Sequence, residues 1–258
     1  MVVPNIILSR SNVFDTLKAV AAADEISNVC SILTRPNELI LTVSDSFETT
    51  VLRTTVIPTL CEHMGGRIYV FTSTILKILQ ETTSSLPLLF TDKEFTILDP
   101  VTLQPLPPRT DLMANAYDDI TNKHIIEDVI VLHTIPMHRG ELCSNIMNLS
   151  VLSGKMDFQI DHSGILTMCT HSKSYGCIRI TKALNLPTPV QPFQTCVIIK
   201  FVKAVVNTLM RKSTKFVNVT CRTQGSVGIE VPFGDGVSGE LLLCARLHVP
   251  PPVYALPM

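Results

Sequence analysis

Residues 201–212 carry Lys203, Asn207 and Arg211 at i, i+4 and i+8, which on a helix stacks three polar side chains in one narrow stripe. Phe201, Val202, Val205, Val206 and Leu209 fall on the opposite, apolar side. Residues 72–81 repeat the arrangement: Ile75, Leu76, Ile78 and Leu79 are the apolar set, and Thr74, Lys77 and Glu81 the polar one. An opening helix over Phe14, Leu17, Val20 and Ala21 exposes Asp15 and Lys18. A few cations per helix can do one kind of chemistry, which is to meet successive phosphates as point charges without reading bases. The same stripes also suit ordinary solvated helix faces, because lysine is mostly exposed in any protein. Both readings stand on the stripes alone.

Covalent and metal chemistry find less support. The eight cysteines, Cys30, Cys61, Cys143, Cys169, Cys177, Cys196, Cys221 and Cys244, include no CxxC pair, so a zinc site of the usual spacing is not indicated. Most lie in apolar runs, as small buried hydrophobes do, and reduced thiols of a cytosolic or nuclear protein are expected. Gly154-Lys155 lacks the upstream glycine of a phosphate loop. DGVSGE at 235–240 misses the GxSxG spacing by one place. Asp161-His162 and the pair His133 and His138 stand isolated, and the carboxylates show no acid–base spacing. The expectation is a chain with no catalytic residue, no metal and no cofactor.

The elements that position these stripes follow from length and pattern. In 258 residues, 46% are hydrophobic and 17% charged, with a net charge of -1. That supports a large core and excludes general polyelectrolyte attraction, so any nucleic-acid contact must rest on locally gathered cations. No basic flank precedes a long apolar stretch at the amino terminus and no run of about 18 apolar residues exists, so neither a secretory leader nor a membrane span is expected. Strands are expected at 26–33, 38–44, 49–57, 67–71, 86–91 and 94–98, then at 156–160, 165–170, 177–181, 195–199, 216–222, 227–231 and 240–247. A helix is expected over 139–152, with Leu142, Ile146 and Leu149 on one face. The turn after each half's first long strand and the later helix both recur at an offset of about 127–129, the mark of an internal repeat. Between the halves, prolines 100, 105, 107 and 108 make an extended connector.

TLKAV at 16–20, ELILTVSDSFETTVLRTTV at 38–56 and RIYVFTSTILKILQ at 67–80 resemble the helices and strands of the DNA sliding clamps. These are the family of proliferating cell nuclear antigen (PCNA) and of the checkpoint clamp called nine-one-one. SLPLLFTDKEFTILDPVTLQPLPP at 85–108, STKFVNVTCRTQGSVGIEV at 213–231 and GELLLCARL at 239–247 are more similar to the Rad-one type of subunit in nine-one-one. The resemblance implies an α+β DNA-clamp fold with two tandem similar domains, 1–100 and 123–258, joined by a connector over 101–122. Helices would lie on one face of curved antiparallel sheets.

The function so implied is non-catalytic: a nuclear subunit that encircles double-stranded DNA. Its partners would be two other clamp subunits, with a heterotrimer favoured over a homotrimer, a clamp loader, and repair or checkpoint proteins. The alternative is a homotrimeric, PCNA-type processivity factor; a third is an enzyme on a duplicated α+β fold. Positions matching the family's DNA-facing cations are Lys18, Lys77, Arg139, Lys203 and Arg211, with Lys200 and Lys212 at the edges. The second domain's first helix departs from this pattern, with Glu141, Asn145 and Asn148 in its stripe. An outer partner groove is expected near Val43, Phe47, Leu247 and Pro250, and ordinary core packing is the competing reading of those residues. The strand at 216–222 and the hairpin at 86–98 are the expected open edges for pairing between subunits.

Overall fold

The computed structural model describes residues 4–45, 49–62, 67–90, 95–105, 130–199, 202, 205 and 215–244. A short strand β1 (Ile6–Leu8) leads into α1 (Arg10–Asp24). Ser9 caps that helix: its Oγ accepts from the Asn12 N–H at 3.1 Å, while its own N–H donates to Asn12 Oδ1 at 3.3 Å. Strands β2 (Val29–Arg35), β3 (Glu38–Ser44), β4 (Thr50–Val56), β5 (Leu60–Cys61) and β6 (Arg67–Phe71) follow. Then come α2 (Thr72–Glu81), β7 (Leu86–Phe90) and β8 (Phe95–Ile97).

The second half begins the same way, with β9 (Val131–His138) running into α3 (Arg139–Leu152). It continues through β10 (Lys155–Ile160), β11 (Ile165–Ser172), β12 (Gly176–Ala183) and β13 (Phe193–Ile198). Val202 and Val205 are helical and fully buried, as the apolar face expected over 201–212 requires. The chain then forms β14 (Phe216–Arg222), β15 (Ser226–Gly234) and β16 (Val237–Leu243).

The repeat is visible in the strand orders. The first half pairs its strands β6-β2-β3-β4, and the second pairs β13-β10-β11-β12 in the corresponding order. Likewise β1-β7-β8 matches β9-β14-β15. The tight turns correspond too: Asn37, between β2 and β3, has φ 61°, and Gly164, between β10 and β11, has φ 75°. Both sit where the chain needs a left-handed residue, which glycine and asparagine accept most readily.

Among the described residues, β5 and β16 have no counterpart in the other half. β16 pairs antiparallel with β4, from Val237↔Val56 to Leu243↔Thr50, and fuses sheet segments of both halves into eight strands, β6-β2-β3-β4-β16-β15-β14-β9. Helix α1 lies across this seam, packing on β4, β15 and β16 and side by side with α2. Helix α3 covers β9 through β12. Ala19, Val20 and Ala23 of α1 face Leu41, Val43, Leu52 and Thr54 of the sheet, closing its inner side.

One of the two strand-edge expectations needs revision. β14 is interior, flanked by β9 and β15, so 216–222 offers no open edge. Among the described residues the hairpin at 86–98 keeps its place: β8 is the last strand of its sheet there, with the isolated bridge Leu98↔Pro105 beyond its end. β12 also ends its sheet, with residues that alternate between exposed and half-buried; β5, β6, β9 and β13 are the other terminal strands among the described residues.

Candidate nucleic-acid interface

Lys77 is exposed on α2, with Ser73, Gln80 and Glu81 around it. Thr74, expected beside it in the stripe, is instead buried at 6% exposure. The α2 stripe is therefore rotated one position from its expected place while Lys77 stays on it. Thr72 at the start of α2 hydrogen-bonds Asp24 at the end of α1, which ties the two helices together.

Lys18 is engaged by its own helix. Its Nζ donates to Asp15 Oδ1 at 2.6 Å and sits 4.0 Å over the Phe14 ring. Asp15 itself is buried, against the expectation that it is exposed. Its carboxylate occupies the space a side chain on Gly234 of β15 would fill, so α1 and the β15–β16 hairpin meet closely there. The expected apolar face of α1 is partly turned: Val20 is buried as expected, but Phe14 is 61% exposed and Ala21 exposed, while Val13, Thr16, Ala19, Ala22 and Ala23 are buried. Small side chains let the helix lie close to the seam, which the bulk of Phe14 does not permit.

Arg139 is half-buried in the first turn of α3, where its N–H donates to the Lys215 carbonyl at 2.8 Å. Leu142, Ile146 and Leu149 are buried as expected. Glu141 pairs with Lys182 of β12 at 2.6 Å, across to the edge strand. The solvent side of α3 bears Gly140, Ser144, Met147, Asn148 and Val151, with no cation, and Val151 is 80% exposed. The expected stripe of Glu141, Asn145 and Asn148 did not foresee that apolar exposure. Lys200, Lys203, Arg211 and Lys212 lie outside the described residues.

In the expected partner groove, Val43 is 2% exposed and packs beneath α1, so the core reading holds for it. The reason is strand parity: successive side chains point to opposite faces, and Val43 shares its face with Leu41. Thr42 and Ser44 take the other face. Phe47, Leu247 and Pro250 lie outside the described residues.

The isolated histidines have ordinary partners. His133 Nε2 lies 2.6 Å from the Gln191 carbonyl, and His138 meets Phe216 edge-on. Burial pushes the thiols of Cys30 and Cys221 up to about 12, which keeps them protonated and poor nucleophiles. Among the described residues, no helix is long and apolar enough to cross a membrane.

No protein-family model matches the chain, and no curated protein sequence matches it. Among solved structures, a chain in the complex of the C-terminal region of FEN-1 bound to A. fulgidus PCNA is similar, with a TM-score of 0.62 and 12% identity. The likeness covers 93% of this chain and 96% of that one. It is a likeness of fold. The chain has the DNA-clamp fold: α+β, two tandem similar units, helices on one face of antiparallel sheets.

Proposed function

We propose that the chain is a non-catalytic sliding-clamp subunit, one member of a ring that encircles double-stranded DNA in the nucleus. The observation that carries this reading is the edge at β12, the counterpart of β4. The corresponding strand β4 is closed by β16 of the same chain, whereas β12 has no strand beyond it among the described residues. A neighbouring subunit's strand completes that edge by backbone pairing. In this reading domains 1–100 and 123–258, joined by 101–122, place α1, α2, α3 and the helix at 201–212 toward the hole, and the ring retains partners by topology rather than by affinity. Lys77 supplies a diffuse phosphate contact, joined by Lys200, Lys203, Arg211 and Lys212. Lys18, paired with Asp15, and Arg139, half-buried, add little.

The finer reading is a Rad-one-type subunit of the nine-one-one checkpoint clamp, supported by the sequence of 85–108 and 213–247. Its partners are then two different clamp subunits, a clamp loader, and repair or checkpoint proteins on the outer face. The likeness to a chain of a PCNA complex favours a second reading, a homotrimeric processivity factor. Solution mass separates them: the chain alone runs as a monomer if it belongs to a mixed ring, and as a trimer if it is replicative. The topological claim is tested by retention on closed circular against linear DNA, with the assembled ring. Retention should be longer on the circle, and Lys77→Ala should reduce the salt slope on the linear template by about one unit. Equal loss from both templates would reject encirclement.

A further inference from the structure

On the face of the sheet β13-β10-β11-β12 that points away from α3, three side chains converge. Asp157 of β10 stands directly opposite Cys169 of β11, and His171 lies two residues further along the same face of β11. Cys169 Sγ is 3.6 Å from His171 Nε2 and 3.9 Å from Asp157 Oδ2. His171 Nε2 is 3.7 Å from Asp157 Oδ2. That last separation is too long for the N–H···O bond, normally about 2.7–3.2 Å, that so close a pair would be expected to make. The three atoms instead form a nearly equilateral triangle of ligand types with a gap at its centre.

The size of the gap identifies what fits. Zinc binds sulfur at about 2.3 Å and imidazole nitrogen or carboxylate oxygen at about 2.0–2.2 Å, so ligands of these types around a tetrahedral ion lie about 3.3–3.6 Å apart. Each side of the observed triangle comes within a few tenths of an ångström of that spacing. Calcium and magnesium take all-oxygen sets, whereas a mixed thiolate, imidazole and carboxylate set suits zinc. Thiolate and carboxylate together balance the charge of a divalent ion. Arg179 of β12, opposite Cys169, and Lys155 of β10, opposite Ile198, carry the cations nearest in register.

We propose that Asp157, Cys169 and His171 form a binding site for one zinc-class divalent ion. The side chains of His171 and Asp157 are 58% and 43% exposed, so the ion has a route in and its fourth position faces solvent. Two exposed thiols are placed by register beside that position: Cys177 of β12, opposite His171, and Cys196 of β13, opposite Asp157. A bound ion braces β10 against β11, one strand in from the open edge β12. The ligands come from two strands, twelve residues apart, which is why no CxxC spacing announces them.

The test uses the full chain, purified with a reductant and zinc and then dialysed exhaustively. One equivalent of zinc should remain, and cobalt(II) put in its place should show a thiolate-to-metal charge-transfer band. Cys169→Ser and His171→Ala should each weaken zinc retention by more than about a hundredfold, beyond what loss of a mere supporting contact causes. His162→Ala, on an exposed turn, should leave it unchanged. Because His171 is exposed, His171→Ala keeps the fold, and its far-ultraviolet spectrum verifies this. Substoichiometric zinc in the parent chain, an unchanged content in folded His171→Ala, or a disulfide between Cys169 and Cys177 in the purified chain would each overturn the site.

Discussion

β4 and β12 hold the same place in the two halves, yet their surroundings differ. β4 buries Thr50, Val51, Leu52, Thr54 and Val56, because α1 covers one face and β16 continues the sheet beyond it. β12 buries none of its eight residues, from Gly176 to Ala183. TVLRTTV has five β-branched residues in seven and GCIRITKA three in eight, so both suit a strand. What separates them is a strand supplied from elsewhere in the chain. Burial in this fold is thus set by who pairs with an edge, and Arg179 and Lys182 are charges of the kind that discourage unwanted pairing at one left open.

The comparison breaks most readily at the sealed edge. Leu241 of β16 faces Leu52 of β4, and both are essentially fully buried. Leu241→Ala should cost about 2–5 kcal/mol, read as a lowered denaturant midpoint. A loss under about 1 kcal/mol would mean that the seam contributes little and that the halves stand independently. Gly234→Ala comes next. Its new methyl overlaps the Asp15 carboxylate, so the ion pair with Lys18 must move, at a cost of about 1–3 kcal/mol. The double variant Asp15→Ala/Gly234→Ala should recover much of that loss, and simple additivity of the two single effects would refute the contact. The smallest effect belongs to the open edge. Thr181→Lys with Ala183→Lys should shift the stability of the isolated chain by no more than about 0.5 kcal/mol per substitution. The same pair should sharply lower the yield of assembled ring with partner subunits, measured as mass in solution. Undiminished assembly would remove β12 from the subunit interface.

Much of this architecture was legible in the sequence, for identifiable reasons. The bounds of α2, α3, β3, β6 and β14 coincide with their expected ranges, because each is framed by turn residues or a sharp change of period. β1, β5 and β9 were not anticipated. Ile6–Leu8 is too short to show alternation, and Pro136 argues against a strand in Val131–His138, where it is nonetheless accommodated. Helix faces were less legible than helix bounds. On α1, hydrophobicity nominates Phe14, but close approach to the seam selects alanines and leaves the phenylalanine outside. Val43 failed as a groove residue by one step of parity, an error that no composition argument detects. The cluster of Asp157, Cys169 and His171 depends on cross-strand register, which the sequence does not display.

The seam between β4 and β16 also has a consequence in time. Its two strands lie near opposite ends of the chain, so during synthesis β4 emerges long before the strand that covers it. At typical elongation rates of about 5–20 residues per second, the wait is on the order of ten seconds or more. Throughout it, β4 presents bare backbone donors and acceptors and the apolar side chains of Val51, Leu52 and Val56 to the cell. Slow closure of such a distant contact makes the nascent chain, rather than the finished one, the form most exposed to aggregation. Any truncation that removes β16 prolongs that state indefinitely.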